Sequence, residues 1–303
     1  MLNRRKIVTN SDLDAIVSAV LLKKVEPVGA VQFVPLEDIK NGSFTPTAED
    51  IVVNMPFLSG CRLWFDHHAS NSCPEKFEGR YDPDAPSAAR VIYNYYSNRG
   101  RQDCFEGLEE LLAETDRVDS AGFTLGDIET PRGAVLLSFI INSDPLQKHT
   151  VASNQLMISL LDSGEVDNVI EHPAFVTKIQ KFNRQMEDSK QLLSEKLEQE
   201  NGLLVIDFRN LNKRESELCS NKFLPFVIYP EAHTLLRIKR LNEEKIRMNL
   251  GFNMFLSDDK CPCHYGHLLA RFDGGGHRRA AGCAVREEEF QRDLQTIKKE
   301  ILS

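Results

Sequence analysis

The stretch between residues 51 and 68 constrains the fold most. Ile51-Val52-Val53 is an unbroken β-branched run that ends at Asn54 and is stopped by Met55-Pro56. Cys61-Arg62-Leu63-Trp64-Phe65 is a second apolar run, and it ends in Asp66-His67-His68. Short continuous apolar runs of this kind read as strands buried in a sheet. The rest of the N-terminal half alternates with them. Lys6 to Thr9 reads as a first strand, Asp12 to Lys24 as an amphipathic helix and Val31 to Val34 as a short strand. Ser87 to Tyr96 reads as a helix opened by Pro86 and Ser87, and residues 105–115 and 132–142 also look helical. Strands alternating with helices predict an α/β fold with a mostly parallel sheet. Ligands bind just outside the C-terminal edge of such sheets, where Asp66-His67-His68 falls.

Past residue 172 the pattern changes. Phe175, Val176, Ile179, Phe182, Met186 and Leu192 recur at helical spacing among Lys, Glu and Gln, which predicts one long helix. Asn201-Gly202 stands where a helix C-terminus prefers Asn or Gly. Leu203 to Asp207, Phe226 to Tyr229, Thr234 to Lys239 and Ile246 to Leu250 read as strands of a second sheet, and 287–302 as a terminal helix. The expected organisation is a domain over 1–172, a connecting helix over 173–200, and a smaller mixed-sheet α/β domain over 201–303. A chain of 303 residues is long enough for two cores.

Several classes are disfavoured. No apolar stretch approaches the ~20 residues of a membrane span, and Met1 to Lys6 leads into a strand rather than a signal-peptide core. Seven scattered cysteines, an odd number, argue for reduced thiols and a cytoplasmic setting. A net charge of −8 disfavours coating of long nucleic acid. It leaves room for a short anionic substrate, because local cations dominate within a Debye length of roughly 8 Å. There is no Walker loop, no Gly-x-Ser-x-Gly and no dinucleotide fingerprint.

Three constellations carry chemistry. Asp66-His67-His68 offers oxygen and imidazole donors that suit Mn²⁺, Zn²⁺, Fe²⁺ or Co²⁺. Asp12 and Asp14 follow the first strand, where carboxylates face cations or simply cap the next helix. Gly274-Gly275-Gly276-His277-Arg278-Arg279-Ala280-Ala281-Gly282 combines close backbone approach and an anion-binding nest with phosphate donors at His277 and Arg278 or Arg279. Cys261, Cys263, His264 and His267 have donors for zinc, but the Cys-x-Cys spacing is tight and reduced loop cysteines are the plainer reading. Asn249 and Asn253 are either substrate contacts or turn residues. His149, His172 and His233 stand alone, as solvent-facing or helix-end histidines.

Those three constellations, in that order, resemble the DHH phosphoesterase superfamily with its DHH-associated C-terminal domain. The Gly266 to Phe272 lead-in is most similar to the exopolyphosphatase-like members. The resemblance implies a metal-dependent hydrolase of phosphoesters or phosphoanhydrides, with Mn²⁺ as cofactor in one or two ions and the active site in a cleft between the domains. It implies Asp12, Asp14, His67, Asn54 and a later Asp as metal donors. Asp119, before Ser120-Ala121-Gly122, fits the family surroundings better than Asp116. It implies His68 on the scissile phosphate, Asp66 either holding an imidazole or touching metal, and Gly274, Gly275, Gly276, His277 and Arg278 on the substrate, with Asp66, His68 and His277 as the catalytic set. Asp273 stands where the glycine-rich motif has one more Gly, and the chain departs from the pattern at two metal positions: Asn10 stands in place of a His and Asn54 in place of a bridging Asp. Each exchanges a good ligand for a neutral amide. Substrates would be a small phosphorylated compound or a short oligonucleotide, with no membrane partner and a homodimer left open. The alternative is a degenerate member that binds a phosphorylated ligand or nucleic acid with little or no turnover.

Overall fold

The structure, a computed structural model, describes residues 5–71, 73–142 and 150–302, so the expectation for His149 lies outside the described residues. Its chain divides into two compact units, Met1–Phe123 with Pro131–Phe182, and Thr124–Thr130 with Asn183–Ser303. The division falls inside the long helix expected over 173–200.

The first unit is built on five parallel strands, β1 (Arg5–Thr9), β2 (Val28–Phe33), β3 (Asp50–Val53), β4 (Leu63–Asp66) and β5 (Gly79–Tyr81), in the order β2-β1-β3-β4-β5. The order reverses direction between β1 and β3, which makes their C-terminal ends the switch point at which such sheets bind ligands. Its helices are α1 (Leu13–Val25), α2 (Leu36–Lys40), α3 (Ala88–Ser97), α4 (Glu109–Asp119), α6 (Gly133–Asn142), α7 (Thr150–Leu160), α8 (Asp167–Ile170) and the first part of α9 (Pro173–Lys196); α5 (Leu125–Glu129) belongs to the second unit. Every residue of β3 and β4 is buried, as the unbroken apolar runs require. Helix α1 is buried nearly all round, from Leu13 to Leu22, so the amphipathic reading is corrected. It packs against α3, α4, α6 and α7, and only its last turn, with Lys23 and Lys24, reaches the surface. The helix expected over 105–115 starts later, at Glu109, because Gly107 at φ +82 breaks the chain after a short 3₁₀ turn over Gln102–Phe105.

The second unit carries a mixed sheet of six strands, β6 (Glu198–Glu200), β7 (Leu203–Asp207), β8 (Thr234–Arg240), β9 (Lys245–Phe252), β10 (Gly275–Gly276) and β11 (Ala280–Arg286), in the order β10-β11-β9-β8-β7-β6. Only β7 and β8 run parallel. Its helices are α10 (Lys213–Leu218), α11 (Leu224–Ile228), α12 (Tyr265–Ala270) and α13 (Phe290–Leu302). One face of the sheet, with Val205, Leu236, Ile238, Met248, Leu250 and Val285, forms a core with Leu269, Phe290 and Ile297.

Two expectations fail here. Asn201-Gly202 does not end a helix. Both residues have positive φ, +45° and +83°, and they form the two-residue turn between β6 and β7, the hairpin geometry that Asn-Gly favours. Helix α9 therefore stops at Lys196. Phe226 to Tyr229 is not a strand but lies in and after α11, which Pro225 starts with its φ already set for a helix. Among the described residues no helix is long and apolar enough to cross a membrane.

Candidate functional site

Asp12, Asp14, Asn54, Asp66, His67 and His68 all sit at the C-terminal ends of β1, β3 and β4, around the switch point. Asp14 is 1% exposed, and its carboxylate accepts the Ala88 and Ala89 N–H groups at 2.8 Å each, at the N-terminus of α3. That helix end supplies positive dipole to a buried anion. His67 Nδ1 lies 3.1 Å from the Ala85 carbonyl oxygen. A carbonyl only accepts, so Nδ1 carries the proton and Nε2 is the coordinating nitrogen of the neutral ring. Nε2 is 3.1 Å from Asp119 Oδ2 and 3.7 Å from Asp14 Oδ2, yet it is buried with no hydrogen-bond partner.

Among the described residues, Asp14, His67 and Asp119 form a set of three donors whose ligand atoms all lie within 4.8 Å of one another. Two carboxylates and an imidazole nitrogen this close together suit a divalent cation. The electrostatics agree. Burial, with Asp119 and Asp12 nearby, pushes Asp14 up to about 8, against the pull of the Ala89 and Ala88 amides. Burial alone would lower His67, but Asp119 and Asp14 outweigh it and lift the ring to about 9. In the absence of a cation, protons gather where positive charge is needed.

This has a measurable consequence. Asp14 is raised above its unfolded value of 3.8, so the stability it contributes is complete at low pH and is lost as pH rises towards 8. His67, raised from 6.5, adds stability below that value that is lost as pH rises through about 9. Both signs agree. Unfolding of the protein in chelator should show a melting temperature that falls across roughly pH 5 to 9, with a shallower slope in His67→Gln. Equal slopes in the two proteins would refute the assignment.

The remaining carboxylates are engaged otherwise. Asp116 accepts the Ser87 hydroxyl at 2.6 Å and the Arg90 Nε at 2.7 Å, and so lies outside the donor set that Asp119 joins. Asp66, fully buried, binds His68 Nδ1 at 2.8 Å through Oδ1 and accepts the Asn71 side-chain amide at 2.6 Å through Oδ2. Of its two sequence-level roles, the geometry shows the one in which it holds an imidazole. The Asp66 hydrogen bond raises His68 above the ordinary histidine range, while the ring stays 44% exposed and leaves Nε2 available.

Asp12, expected as a metal donor, is engaged by hydrogen bonds. Its carboxylate caps α1 through the Ala15 N–H at 2.8 Å, and it accepts the side-chain amides of Asn10 at 2.7 Å and of Asn54 at 3.0 and 3.2 Å. The two residues that depart from the family pattern thus satisfy this carboxylate by hydrogen bonding. Asn54 has φ +55° and is 2% exposed, and its Oδ1 has no hydrogen-bond partner.

The glycine-rich block lies in the second unit. Gly275 and Gly276 form β10, in a hairpin with β11. A Cβ at Gly274 would meet Gly282 O at 2.4 Å, one at Gly276 would meet Ala280 O at 2.5 Å, and one at Gly266 would meet Gly276 O at 2.3 Å. Close approach of β11 within the hairpin therefore accounts for Gly274 and Gly276, and packing of α12 on the hairpin for Gly266, whereas Gly275 has open space at its Cα. The Gly274 and His277 N–H groups donate to Leu269 O and Ala280 O, so they are unavailable to a nest. The side chains of His277 and Arg278 are exposed and make no hydrogen bond or ion pair among the described residues. Arg279 pairs with Asp258 at 3.0 Å.

Two sequence readings resolve as structural. Asn253 is fully buried and donates to Pro230 O and Ala232 O. His264 Nδ1 accepts the His267 N–H to cap α12, and the donors of Cys261, Cys263, His264 and His267 do not gather as a metal set. The residues that sequence reasoning missed are Ala88 and Ala89, which act through backbone amides, and Asn71, which fixes Asp66. Ser87 as a helix start was the one available signal for the first pair.

No family model matches the chain, and no curated protein matches it. Among solved structures, PggH, a pGpG-specific phosphodiesterase from Vibrio cholerae, superposes with a TM-score of 0.81 at 25% identity, over 98% of this chain and 99% of its own. An uncharacterized protein from Helicobacter pylori G27 aligns over 99% and 98% of the two chains at 15% identity, but its TM-score of 0.33 carries no argument.

Proposed function

We propose that this protein is a metal-dependent phosphodiesterase that hydrolyses a small linear dinucleotide of the pGpG type. The observation that carries the reading is the Asp14–His67–Asp119 donor set at the switch point. The end-to-end likeness to a pGpG-specific phosphodiesterase supports it and supplies the substrate class. Asp14, His67 and Asp119 hold the cation, which we take to be Mn²⁺. Bound there, it supplies Lewis acidity to activate water and neutralise charge on phosphoryl oxygens. His68, oriented by Asp66, offers Nε2–H to a phosphoryl or leaving oxygen, and the Asp66 hydrogen bond favours the protonated ring. Asp66 is a positioning residue in this scheme. His277 and Arg278 are unengaged phosphate donors of the second unit.

A second reading has its own observation. The Asp12 carboxylate is saturated by Asn10, Asn54 and the α1 amide, which favours a protein that binds a phosphorylated ligand with little turnover. The test is direct. Metal-stripped protein is given Mn²⁺ and offered pGpG, a cyclic dinucleotide, phosphoadenosine phosphate and short-chain polyphosphate. Conversion of pGpG to mononucleotides supports the proposal. Phosphate release from polyphosphate instead would favour an exopolyphosphatase-like enzyme, and tight pGpG binding without products would favour the binding protein.

A further inference from the structure

The second sheet has a cationic face that the scheme above does not use. Along β8 the core side takes Leu236 and Ile238, so Arg237 and Lys239 project to the opposite face. Strand register places Arg247 of β9 beside Lys239 and Asn249 beside Arg237. Ala284 and Gly282 of β11 continue the same two rows. The face is thus basic on β8 and β9 and nearly bare on β11, and Gly251 beside it has open space at its Cα.

The cations on this face are held without carboxylates. The Arg237 guanidinium and the Lys239 ammonium sit 5.0 and 4.4 Å from the centre of the Phe208 ring. The Arg237 side chain donates to the Ser220 carbonyl oxygen at 3.2 Å. Burial lowers the pKa of both, and Arg237 lowers Lys239 further. Arg247 is exposed and has no ion pair among the described residues. Elsewhere in the unit, Arg209 pairs with Asp207, Arg240 with Glu287, Arg271 with Glu300, Arg279 with Asp258 and Arg286 with Glu289, while Arg278 stands alone among the described residues. In a chain with 45 acidic and 37 basic residues, three neighbouring cations without a carboxylate are a charge arrangement that an anion would complete.

We infer that Arg237, Lys239 and Arg247 form an anion subsite for a phosphate group, with Asn249 as a neutral donor beside it. Arg237 is held fixed by Phe208 and Ser220, whereas Lys239 and Arg247 are the exposed arms that close on the ligand. The phosphate is either the terminal phosphate of the dinucleotide, which rests on the function proposed above, or that of a separate small molecule, which does not.

The experiment uses the full chain with exposed Lys239 and Arg247 both changed to Gln, which leaves the half-buried Arg237 in place. Binding is measured by calorimetry for pGpG, for GpG without its 5′-phosphate, and for pyrophosphate. If the subsite takes the substrate's phosphate, the wild type prefers pGpG to GpG by about tenfold or more, and the double variant loses that preference with GpG binding unchanged. If the phosphate belongs to a separate molecule, pyrophosphate binds the wild type without displacing pGpG, and the double variant loses it; this also supports the subsite. Unchanged affinity for all three probes in the variant overturns it. Hydrolysis by the wild type, scored separately, reports on the proposed function alone: failure to cleave pGpG leaves the pyrophosphate arm intact.

Discussion

Asp14→Asn is expected to lower pGpG hydrolysis by at least about a thousandfold, the scale on which a charge-stabilising group at a reacting phosphate acts. It is expected to cost the metal-free fold at neutral pH no more than one backbone hydrogen bond. The two effects separate because of how Asp14 is held. With its pKa pushed up to about 8, the carboxyl is largely protonated at pH 7 when no cation is bound, and Asn is close to its isostere. Asn still accepts through its oxygen from one of Ala88 and Ala89, so the cost is that of one backbone hydrogen bond, about 1 to 3 kcal/mol at most. Above pH 8 the order reverses, because the wild type must then ionise a buried acid beside Asp119 and Asp12 and the variant does not. Calorimetric Mn²⁺ titration, chelator melting curves at pH 7 and 9, and turnover together check this. A variant that retains wild-type Mn²⁺ affinity would remove Asp14 from the donor set.

How much of this was legible in the sequence depends on the range of the interaction. The strands β1, β3 and β4 were readable because burial on both faces leaves unbroken apolar runs, and the polar residues that follow them fall at one sheet edge. The resemblance added which of those residues would face a cation. The choice between Asp116 and Asp119 was not fixed locally: both lie on α4, and only tertiary packing brings Arg90 and Ser87 to Asp116 and His67 to Asp119. Ala88 and Ala89 were invisible because their contribution is backbone amides, which every residue but proline has. Asn201-Gly202 was ambiguous because its tolerance of positive φ serves a helix C-terminus and a hairpin equally, and its neighbours decide. The basic face of the second sheet needed strand register, since Arg237, Lys239 and Arg247 are separated by a turn and meet only across β8 and β9.

Asn54 is where sequence pattern and structure bear most directly on each other. Its side-chain amide donates to both oxygens of Asp12, at 3.0 and 3.2 Å, so neutral N–H groups stand against that carboxylate. Asn54→Asp keeps the backbone, since Asp tolerates the φ of +55° as Asn does. It replaces a donor by a second buried carboxylate about 3 Å from the first. Both cannot remain ionised without a counter-charge, so in chelator the variant should be destabilised by about 2 to 4 kcal/mol at pH 8. In a unit of this size that is a fall in melting temperature on the order of 5 to 10 °C. The loss should shrink as pH drops, because a protonated carboxyl restores a donor towards Asp12. Mn²⁺ should reverse it, with one more equivalent bound than in the wild type, and Asn10→His in addition should tighten that ion by supplying an imidazole. Metal content by elemental analysis and melting curves with and without Mn²⁺ read both halves. If the variant is as stable as the wild type in chelator and takes up no additional metal, Asn54 is not standing in for cationic charge, and the pocket around Asp12 is built for amides.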